Sequence, residues 1–318
     1  MEVTPIFVIG SARSGTTMLG KLLSSDASFF NYRAETLLMT VCRKRYGDIF
    51  NSISRKKIFL NDWFSSRQFV RSNLSEKEFE EVLEKSVSYP TLLVNFLTEM
   101  ALKDNKKYIV DSTPANIHFV NQISKVCPQA KFVRIVRDGR DVSLSQEKLG
   151  WVNPPSPFRS KADKLNYTLV AWGITNSKTS LETEKNVLTI RYENFLSDLE
   201  KGVATLSSFL DTESTNYDLQ TILNPTQPNS AFGRLGQDHN RSALARWKNI
   251  EPELVKEFTF GCHKSLKNFG YSNSKPSYSL KNMLRYTIFS THFRLKNHLT
   301  KYHIFASRTS ETLEINKK

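Results

Sequence analysis

A short polar turn near the start of the chain carries residue types that bind anions. Residues 10–17 hold the guanidinium of Arg13 and the hydroxyl groups of Ser14, Thr16 and Thr17, and no acidic residue lies among them. Arginine and hydroxyl groups donate hydrogen bonds to phosphate or sulfate oxygens, and arginine also neutralises their charge. The turn therefore predicts a site that binds an anionic group.

The elements on either side of this turn should aim it at such a ligand. Residues 6–9 are a continuous apolar run, typical of a strand buried on both faces of a parallel sheet, and Gly10 ends it. From Thr16 the pattern is helical, with one apolar face formed by Met18, Leu19, Leu22 and Leu23. The unpaired N–H groups and the dipole at the start of that helix favour an anion in the turn.

The spacing of Gly10 and Gly15 matches a nucleotide-binding P-loop, except at one position. Thr16 stands where a P-loop has the lysine that reaches the β- and γ-phosphates, which argues against ATP chemistry. The nearest cation is Arg13, inside the loop. The same spacing also occurs in strand–turn–helix connections that bind nothing, so this loop alone leaves both interpretations open.

A second strand–turn–helix stretch carries charged residues. Residues 131–136 predict a buried strand, residues 137–141 (RDGRD) a charged turn, and a helix follows from Val142. By itself this turn is typical of a solvated loop with internal ion pairs. In an open parallel sheet, however, ligands bind at the carboxyl ends of the strands, where both turns would lie.

The rest of the chain alternates between strand and helix patterns. Apolar runs at residues 107–110 and 187–192 predict further strands, and helical patterns separate them. This alternation indicates an α/β fold of three layers, with a parallel sheet between helices on both faces. Residues 43–75 are basic and aromatic, and are predicted to be an irregular insertion that holds an acceptor or a partner.

Together and in this order, the two turns resemble the sulfotransferases that use 3′-phosphoadenosine-5′-phosphosulfate (PAPS). The resemblance implies that the first loop, Arg13-Ser14-Gly15-Thr16-Thr17, holds the 5′-phosphosulfate. It also implies that Arg137 and Ser145, eight residues apart, bind the 3′-phosphate. PAPS is then the cofactor, adenosine 3′,5′-bisphosphate (PAP) is its product, and no metal is expected. A planar arginine fork with a hydroxyl suits the nearly double charge of a 3′-phosphate.

Two further parts resemble this family more loosely, over a total span of about residues 5–270. Tyr192, at a strand end, corresponds to an aromatic residue near the adenine, or is an ordinary edge aromatic. Arg246, with Arg241 and Ser242, resembles a C-terminal segment that closes over the 3′-phosphate and adenine. The alternative is that Arg246 is a surface charge.

Sulfuryl transfer also needs a base for the acceptor hydroxyl, and Glu35 is the first candidate. Glu35 and Thr36 resemble the Glu-Thr of tyrosylprotein sulfotransferases, where the glutamate is the base; the alternative is a glutamate that starts a helix. Asp111, at a strand end, is the second candidate. Ser112 follows it where related enzymes often carry a lysine, so the group that neutralises the leaving oxygen is expected to be Arg13 or Lys106/Lys107.

The charge of the chain is +14 and is unevenly spread. Residues 275–318 hold nine Lys and Arg against two Asp and Glu, within a sequence that also contains leucine and aromatic residues. We expect a domain at residues 1–272 and a basic, helical extension at residues 273–318. This extension either contacts an anionic membrane or an acidic acceptor, or packs on the body of the protein.

The three cysteines, Cys42, Cys127 and Cys262, are far apart and predict a reducing compartment without a metal site. The early start of a core strand leaves no room for a signal peptide, so we expect a cytoplasmic protein, peripheral at the membrane through its tail. No motif for specific nucleic-acid recognition is present.

The leading functional prediction is a PAPS-dependent O-sulfotransferase whose acceptor is a glycan, a protein tyrosine or a small molecule. A P-loop kinase of a small metabolite is the second hypothesis, and Thr16 argues against it. A non-catalytic module that binds a nucleotide and recruits partners is the third.

Overall fold

The computed structural model describes residues 1–30, 32, 34–177, 181, 184–223, 244–271 and 278–299. Its strands are β1 (Thr4–Gly10), β2 (Phe29–Phe30), β3 (Tyr108–Asp111), β4 (Lys131–Val136) and β5 (Val187–Arg191). Its α-helices are α1 (Thr16–Leu23), α2 (Arg43–Tyr46), α3 (Ile53–Phe64), α4 (Arg67–Val70), α5 (Glu76–Glu84), α6 (Tyr89–Lys103), α7 (Val120–Val126), α8 (Gly139–Lys148), α9 (Lys161–Asn176), α10 (Tyr192–Ser197), α11 (Leu199–Leu210), α12 (Gln220–Leu223), α13 (Pro252–Thr259), α14 (His263–Asn268) and α15 (Leu280–Leu299). A π-helical turn covers Leu38–Cys42, and 3₁₀ turns cover Pro114–His118, Ser214–Asn216 and Arg246–Asn249.

The strands form one sheet in the order β2-β3-β1-β4-β5. β3 pairs in parallel with β1 and with β2; in the first pair Thr4 lies opposite Tyr108, and Phe7 lies opposite Asp111. Residues 6–9 are fully buried, as the apolar run predicts. The predicted α/β fold, a parallel sheet flanked by helices, is confirmed. Because β1 and β4 are neighbours, the turns that follow them meet at one edge, where ligands bind in such sheets.

The chain divides into two compact units, and the first contains Met1–Ile9 and Leu19–Val133. The prediction that residues 43–75 are irregular is wrong, because α2, α3 and α4 lie there. On α3, Phe59 and Trp63 are one turn apart and buried, with ring centroids 5.6 Å apart. Both rings also pack near Phe79 of α5. The helix forms because this aromatic cluster removes its apolar side from water.

The second unit contains Gly10–Met18 and Arg134–His298. Its core lies where α8 and α9 pack closely, since a Cβ on Gly139 would be 2.6 Å from Leu169 Cδ1 and from Trp172 Cδ2. Phe289 of α15 is fully buried and packs against Tyr167, with ring centroids 5.4 Å apart. The α15 helix therefore has one face in this core, while the boundary predicted at residues 272 and 273 stays a prediction.

Ion pairs reinforce the contact between α15 and the rest of the second unit. Arg285 is 5% exposed, and its guanidinium lies 2.9 Å from the Asp163 carboxylate and 2.8 Å from that of Glu257. The opposite face exposes Leu280 and Leu284. Within the described residues, no helix is long and apolar enough to cross a bilayer.

Candidate functional site

The loop between β1 and α1 is pressed against neighbouring atoms at both of its glycines. A Cβ on Gly10 would lie 2.4 Å from the carbonyl oxygen of Ile135, in β4. Gly15 has φ +107°, and a Cβ there would lie 2.7 Å from the Tyr192 ring. Neither position accepts a side chain without a shift of the backbone or the ring. The two glycines therefore set how closely the loop approaches β4 and Tyr192.

Three side chains from distant parts of the second unit hold the loop. Gln146 of α8 donates its amide N–H to the Ala12 carbonyl at 3.1 Å, and Arg137 donates to the Arg13 carbonyl at 3.1 Å. Asn176 of α9 donates to the Ser11 hydroxyl at 3.0 Å. The loop is thus fixed from several sides by the protein itself, and the two predicted phosphate motifs lie together.

The side chain of Arg13 connects these two motifs directly. Its Nε donates to the Ser145 hydroxyl at 3.2 Å, although the two residues are 132 positions apart in the chain. Arg13 adopts a left-handed backbone conformation, with φ 73°. Its guanidinium also lies 5.6 Å from the ring centroid of Trp151, a residue that the sequence analysis did not single out. The resemblance assigned Arg13 and Ser145 to different phosphate groups, and the structure makes those two positions contiguous.

Arg137 is the electrostatic centre of the site. It is 7% exposed, and its guanidinium carbon lies 4.9 Å from the ring centroid of Tyr192. Burial lowers the pKa of Arg13, and the positive charge of Arg137 lowers it further. The pKa of Arg246 is also lowered, by burial and then by the charge of Arg137. Arg137 thus lies within Coulomb range of both Arg13 and Arg246, and these like charges favour the binding of an anion with more than one charged group.

A buried hydroxyl in the loop is without a hydrogen-bond partner among the described residues. Ser14 is 0% exposed, and its Oγ accepts and donates no hydrogen bond there. Such a group costs free energy in the folded state unless a ligand or water satisfies it. Thr16 is also buried, at the start of α1. The residues of the loop therefore fit an oxyanion.

The segment that carries Arg246 is attached to the start of α8. The Asp141 carboxylate accepts a hydrogen bond from the Ala245 N–H at 2.8 Å and another from the Trp247 N–H at 3.0 Å. The guanidinium carbon of Arg140 lies 3.5 Å from the centroid of the Trp247 ring. The sequence analysis missed these two attachments. Residues 241 and 242, which it grouped with Arg246, lie outside the described residues.

The first unit contains a second cluster, built around Asp111. This carboxylate is fully buried and accepts hydrogen bonds from the Thr36 hydroxyl at 2.7 Å, the Thr113 hydroxyl at 2.5 Å and the Asn116 amide at 2.9 Å. The Thr113 N–H donates to it as well, at 3.0 Å. Burial raises the pKa of Asp111, while the hydrogen bonds from Thr113 and Thr36 oppose that rise. Asp111 is thus a hydrogen-bonded anchor.

Glu35 precedes the anchored Thr36, whose N–H donates to the Thr113 hydroxyl at 3.0 Å. Glu35 is exposed to solvent, yet the protein around it displaces enough water to raise the pKa of its carboxyl to about 7. The negative charge of Asp111 raises this pKa further. A carboxyl group that titrates near neutral pH and reaches solvent can accept a proton from a bound molecule.

Ser112, the departure noted in the sequence, packs beside α1. Its Cβ would lie 3.1 Å from a Cβ placed on Gly20 of that helix. Within the described residues, no group of three or more His, Cys, Asp or Glu side chains could hold a metal ion.

Comparison with known proteins shows the family of the chain. The model of the Sulfotransferase family matches residues 5–216, which include β1 from Pro5, all of β2 to β5 and the turns that follow β1 and β4. No curated protein sequence matches the chain at a significant level.

Solved structures of sulfotransferases are similar to the chain, and two of them share its fold. The sulfotransferase domain of the olefin synthase from Synechococcus PCC 7002 has a TM-score of 0.51 and 14% identity, over 91% of this chain and 95% of that one. The sulfotransferase domain from the curacin biosynthetic pathway has a TM-score of 0.51 and 18% identity, over 86% of this chain and 100% of that one. Mouse sulfotransferase SULT7A1, solved with PAP, has a TM-score of 0.43 and 16% identity, over 84% and 88%. With the family match over more than half of its length, the chain belongs to the sulfotransferase family.

Proposed function

We propose that the chain is a PAPS-dependent O-sulfotransferase. The observation that carries this proposal is the arginine cluster in which the charge of Arg137 acts on both Arg13 and Arg246, together with the buried hydroxyl of Ser14, next to Arg13, which has no partner among the described residues. A donor with phosphate-type groups at both its 5′ and 3′ positions would satisfy that hydroxyl and neutralise the cluster. A P-loop kinase fits less well, because Thr16 stands in the place of the lysine that such an enzyme uses.

Each loop residue has a role in binding this donor. Arg13, Ser14, Thr16 and Thr17, with the backbone N–H groups around Gly15, would bind the 5′-phosphosulfate. The 3′-phosphate would be bound by Arg137, Ser145 and Arg246, and Tyr192 would lie near the adenine. The contact of Arg13 with Ser145 supports two adjacent subsites that share one donor network.

PAPS would supply the sulfuryl group and a phosphate that leaves when the acceptor oxygen attacks sulfur in line. The task of the protein is then to place the two reactants and to stabilise negative charge on the leaving oxygen. Arg13 and the N–H groups at the start of α1 are suited to that charge, because the loop is already held in position by hydrogen bonds.

Glu35 is the proposed general base for the acceptor hydroxyl. A pKa of about 7 leaves a large share of its carboxyl groups ionised at neutral pH, while the group remains a competent proton acceptor. Asp111 is less suited to this role because its oxygens already accept four hydrogen bonds. We infer that it positions the Thr36 segment, and Glu35 with it.

The proposed acceptor carries a hydroxyl group, on a glycan, a protein or a small molecule. We also propose a reducing, cytoplasmic setting, supported by three buried, free cysteines, and peripheral contact with anionic membrane through α15. That helix exposes Leu280, Met283 and Leu284 beside Lys281 and contains no acidic residue. Co-sedimentation with anionic and with neutral vesicles tests the membrane contact.

The donor proposal is tested by thermal-shift titration with PAP and, separately, with ATP and magnesium. A ligand that binds the native state raises the melting temperature, so we expect a rise with PAP alone. Arg137→Ala should weaken PAP binding by about tenfold or more, since it removes a charged partner of a phosphate. Arg55→Ala, at an exposed arginine of α3, is the control and should bind as the parent does. A response to ATP–magnesium alone would refute the proposal and favour the kinase.

A further inference from the structure

The two aspartates at the start of α8 make different contacts. Asp138 caps the helix, because its carboxylate accepts the Arg140 N–H at 2.9 Å. Asp138 also forms a buried ion pair with the Arg140 guanidinium, at 2.6 Å. Asp141, one turn along, is 2% exposed, and both of its oxygens accept hydrogen bonds from the residues around Arg246. An acidic residue there for the helix dipole alone would not need those contacts.

The bonds to Asp141 flank Arg246 in a specific way. They come from the N–H groups of Ala245 and Trp247, the residues immediately before and after the arginine. Two bonds on either side of one residue fix its backbone direction. Ala245 has φ 53°, a left-handed conformation that is unfavourable for a residue with a side chain and persists only where contacts impose it.

A second contact holds the same segment from the neighbouring residue of α8. The guanidinium carbon of Arg140 lies 3.5 Å from the centroid of the Trp247 ring, and Arg140 is itself held by Asp138. The segment therefore attaches to α8 through a carboxylate and through a stacked cation. Both attachments leave the Arg246 guanidinium within Coulomb range of Arg137.

We propose that Asp141 is a positioning residue for the donor site: its carboxylate fixes the Arg246–Asn249 turn to α8 so that Arg246 and Arg137 converge on the 3′-phosphate of the donor. This proposal rests on the proposed function, since the 3′-phosphate is the ligand group that it invokes. Asp141, although negatively charged, then strengthens the binding of an anion.

The direction in which anion affinity changes when Asp141 is neutralised distinguishes a positioning role from a purely electrostatic one. Among nearby charges, the positive charge of Arg137 acts most strongly on Asp141, the negative charge of Asp138 acts less, and Arg246 also lies within range. If Asp141 only added negative charge to this site, its neutralisation would strengthen the binding of a phosphate. If it positions Arg246, neutralisation weakens that binding, because the Ala245 and Trp247 N–H groups lose an ionised acceptor.

The experiment compares Asp141→Asn with the unchanged protein by calorimetric titration of PAP and of adenosine 5′-phosphate, which lacks the 3′-phosphate. We expect the affinity of Asp141→Asn for PAP to fall about tenfold, and that for adenosine 5′-phosphate to change by less than about twofold. Unchanged or tighter PAP binding would overturn the proposal, as would an equal loss for both ligands.

Asp163→Asn is the matched control for general loss of stability. Asp163 is a buried carboxylate of the same unit that pairs with Arg285 and accepts the Ser160 hydroxyl at 2.7 Å. Its neutralisation should lower the melting temperature and leave the ratio of the two affinities unchanged. A fall in that ratio for Asp163→Asn would mean that destabilisation alone explains the result for Asp141.

Limited trypsin digestion provides a readout that needs no ligand. Release of the segment in Asp141→Asn should accelerate cleavage after Arg246 and Lys248 relative to other sites. Mass spectrometry of the digest measures the rate of cleavage at each site. Uniform acceleration at all sites would contradict the proposal. If the unchanged protein fails to bind PAP, the proposed function is refuted, and the digestion alone decides whether Asp141 holds this segment.

Discussion

Replacement of Glu35 by glutamine tests the proposed base in two independent ways. The variant keeps the size of the side chain and removes its ability to accept a proton. Loss of a general base typically lowers turnover by about 10²- to 10⁴-fold. PAP affinity should stay unchanged, since no donor-site residue is replaced. Glu80→Gln, at an exposed glutamate of α5, is the control and should retain full turnover.

The pH dependence gives the second measurement. Because the pKa of Glu35 is about 7 rather than the ordinary 4.5, about a tenth of the carboxyl groups are ionised one pH unit below that value. Turnover of the unchanged protein should therefore rise about tenfold between pH 6 and pH 8 and then level off. The residual turnover of Glu35→Gln should lack this rise.

The stability of the folded protein should fall with rising pH, whereas turnover rises. A folded-state pKa raised from 4.5 to about 7 means that the folded state holds the proton more tightly, so stability falls as pH rises between these two values. Glutamine has no such loss, and the melting temperature of Glu35→Gln should exceed that of the unchanged protein above pH 7 and match it below about pH 4.5. The exposure of Glu35 makes the difference small. Full turnover of the variant, with an unchanged pH profile, would refute the assignment of the base.

Two changes in the loop lead to further expected results. Ser14→Ala removes a buried hydroxyl that has no partner in the described residues. The free protein should therefore be as stable as before, or more stable by up to about 1 kcal/mol, while its affinity for PAP falls. Denaturant unfolding measures the stability, and titration with PAP measures the affinity. A fall in stability without a change in affinity would assign the hydroxyl to structure instead. Gly15→Ala places a Cβ 2.7 Å from the Tyr192 ring in a left-handed conformation, and should lower both the melting temperature and PAP affinity. A Gly15→Ala variant with parental affinity would show that the loop adapts.

The local pattern of the sequence was enough to locate the first loop. A buried apolar strand, a glycine and a helical face depend on neighbouring residues, and β1 and α1 lie where that pattern predicts them. The contact between Arg13 and Ser145 could not be derived in this way, because it depends on how α8 packs beside the loop. The resemblance to a family predicted Arg13 and Ser145 only as ligands of two different phosphate groups, without a contact between them.

The α3 helix shows the limit of local patterns more clearly. Its sequence mixes polar and basic residues with apolar ones in no clear helical period, which hides the spacing of Phe59 and Trp63. The rings that stabilise it, Phe79 and Phe96, come from later helices. Helices of this length gain most of their stability from tertiary packing, so a reading restricted to residues 43–75 missed it.

The two structural carboxylates were hidden for the same reason. Asp111 was predicted as a candidate base from its place at a strand end, but its donors Thr36 and Thr113 converge on it from separate loops. Asp141 was noted only as part of a charged turn, and its partners are more than a hundred residues away in the chain. Residue type predicts that such groups need partners, while the fold determines which partners they find.

The hydrogen bonds that hold the first loop have a kinetic consequence. Gln146 and Arg137 hold its backbone and Asn176 holds its Ser11 hydroxyl, so little conformational entropy is lost when an anion arrives. After transfer, the proposed bisphosphate product would keep the phosphate contacts of the donor in a site that is already ordered. It would therefore dissociate slowly. Departure of this product, rather than cleavage of the sulfur–oxygen bond, would then set the turnover rate under saturating acceptor.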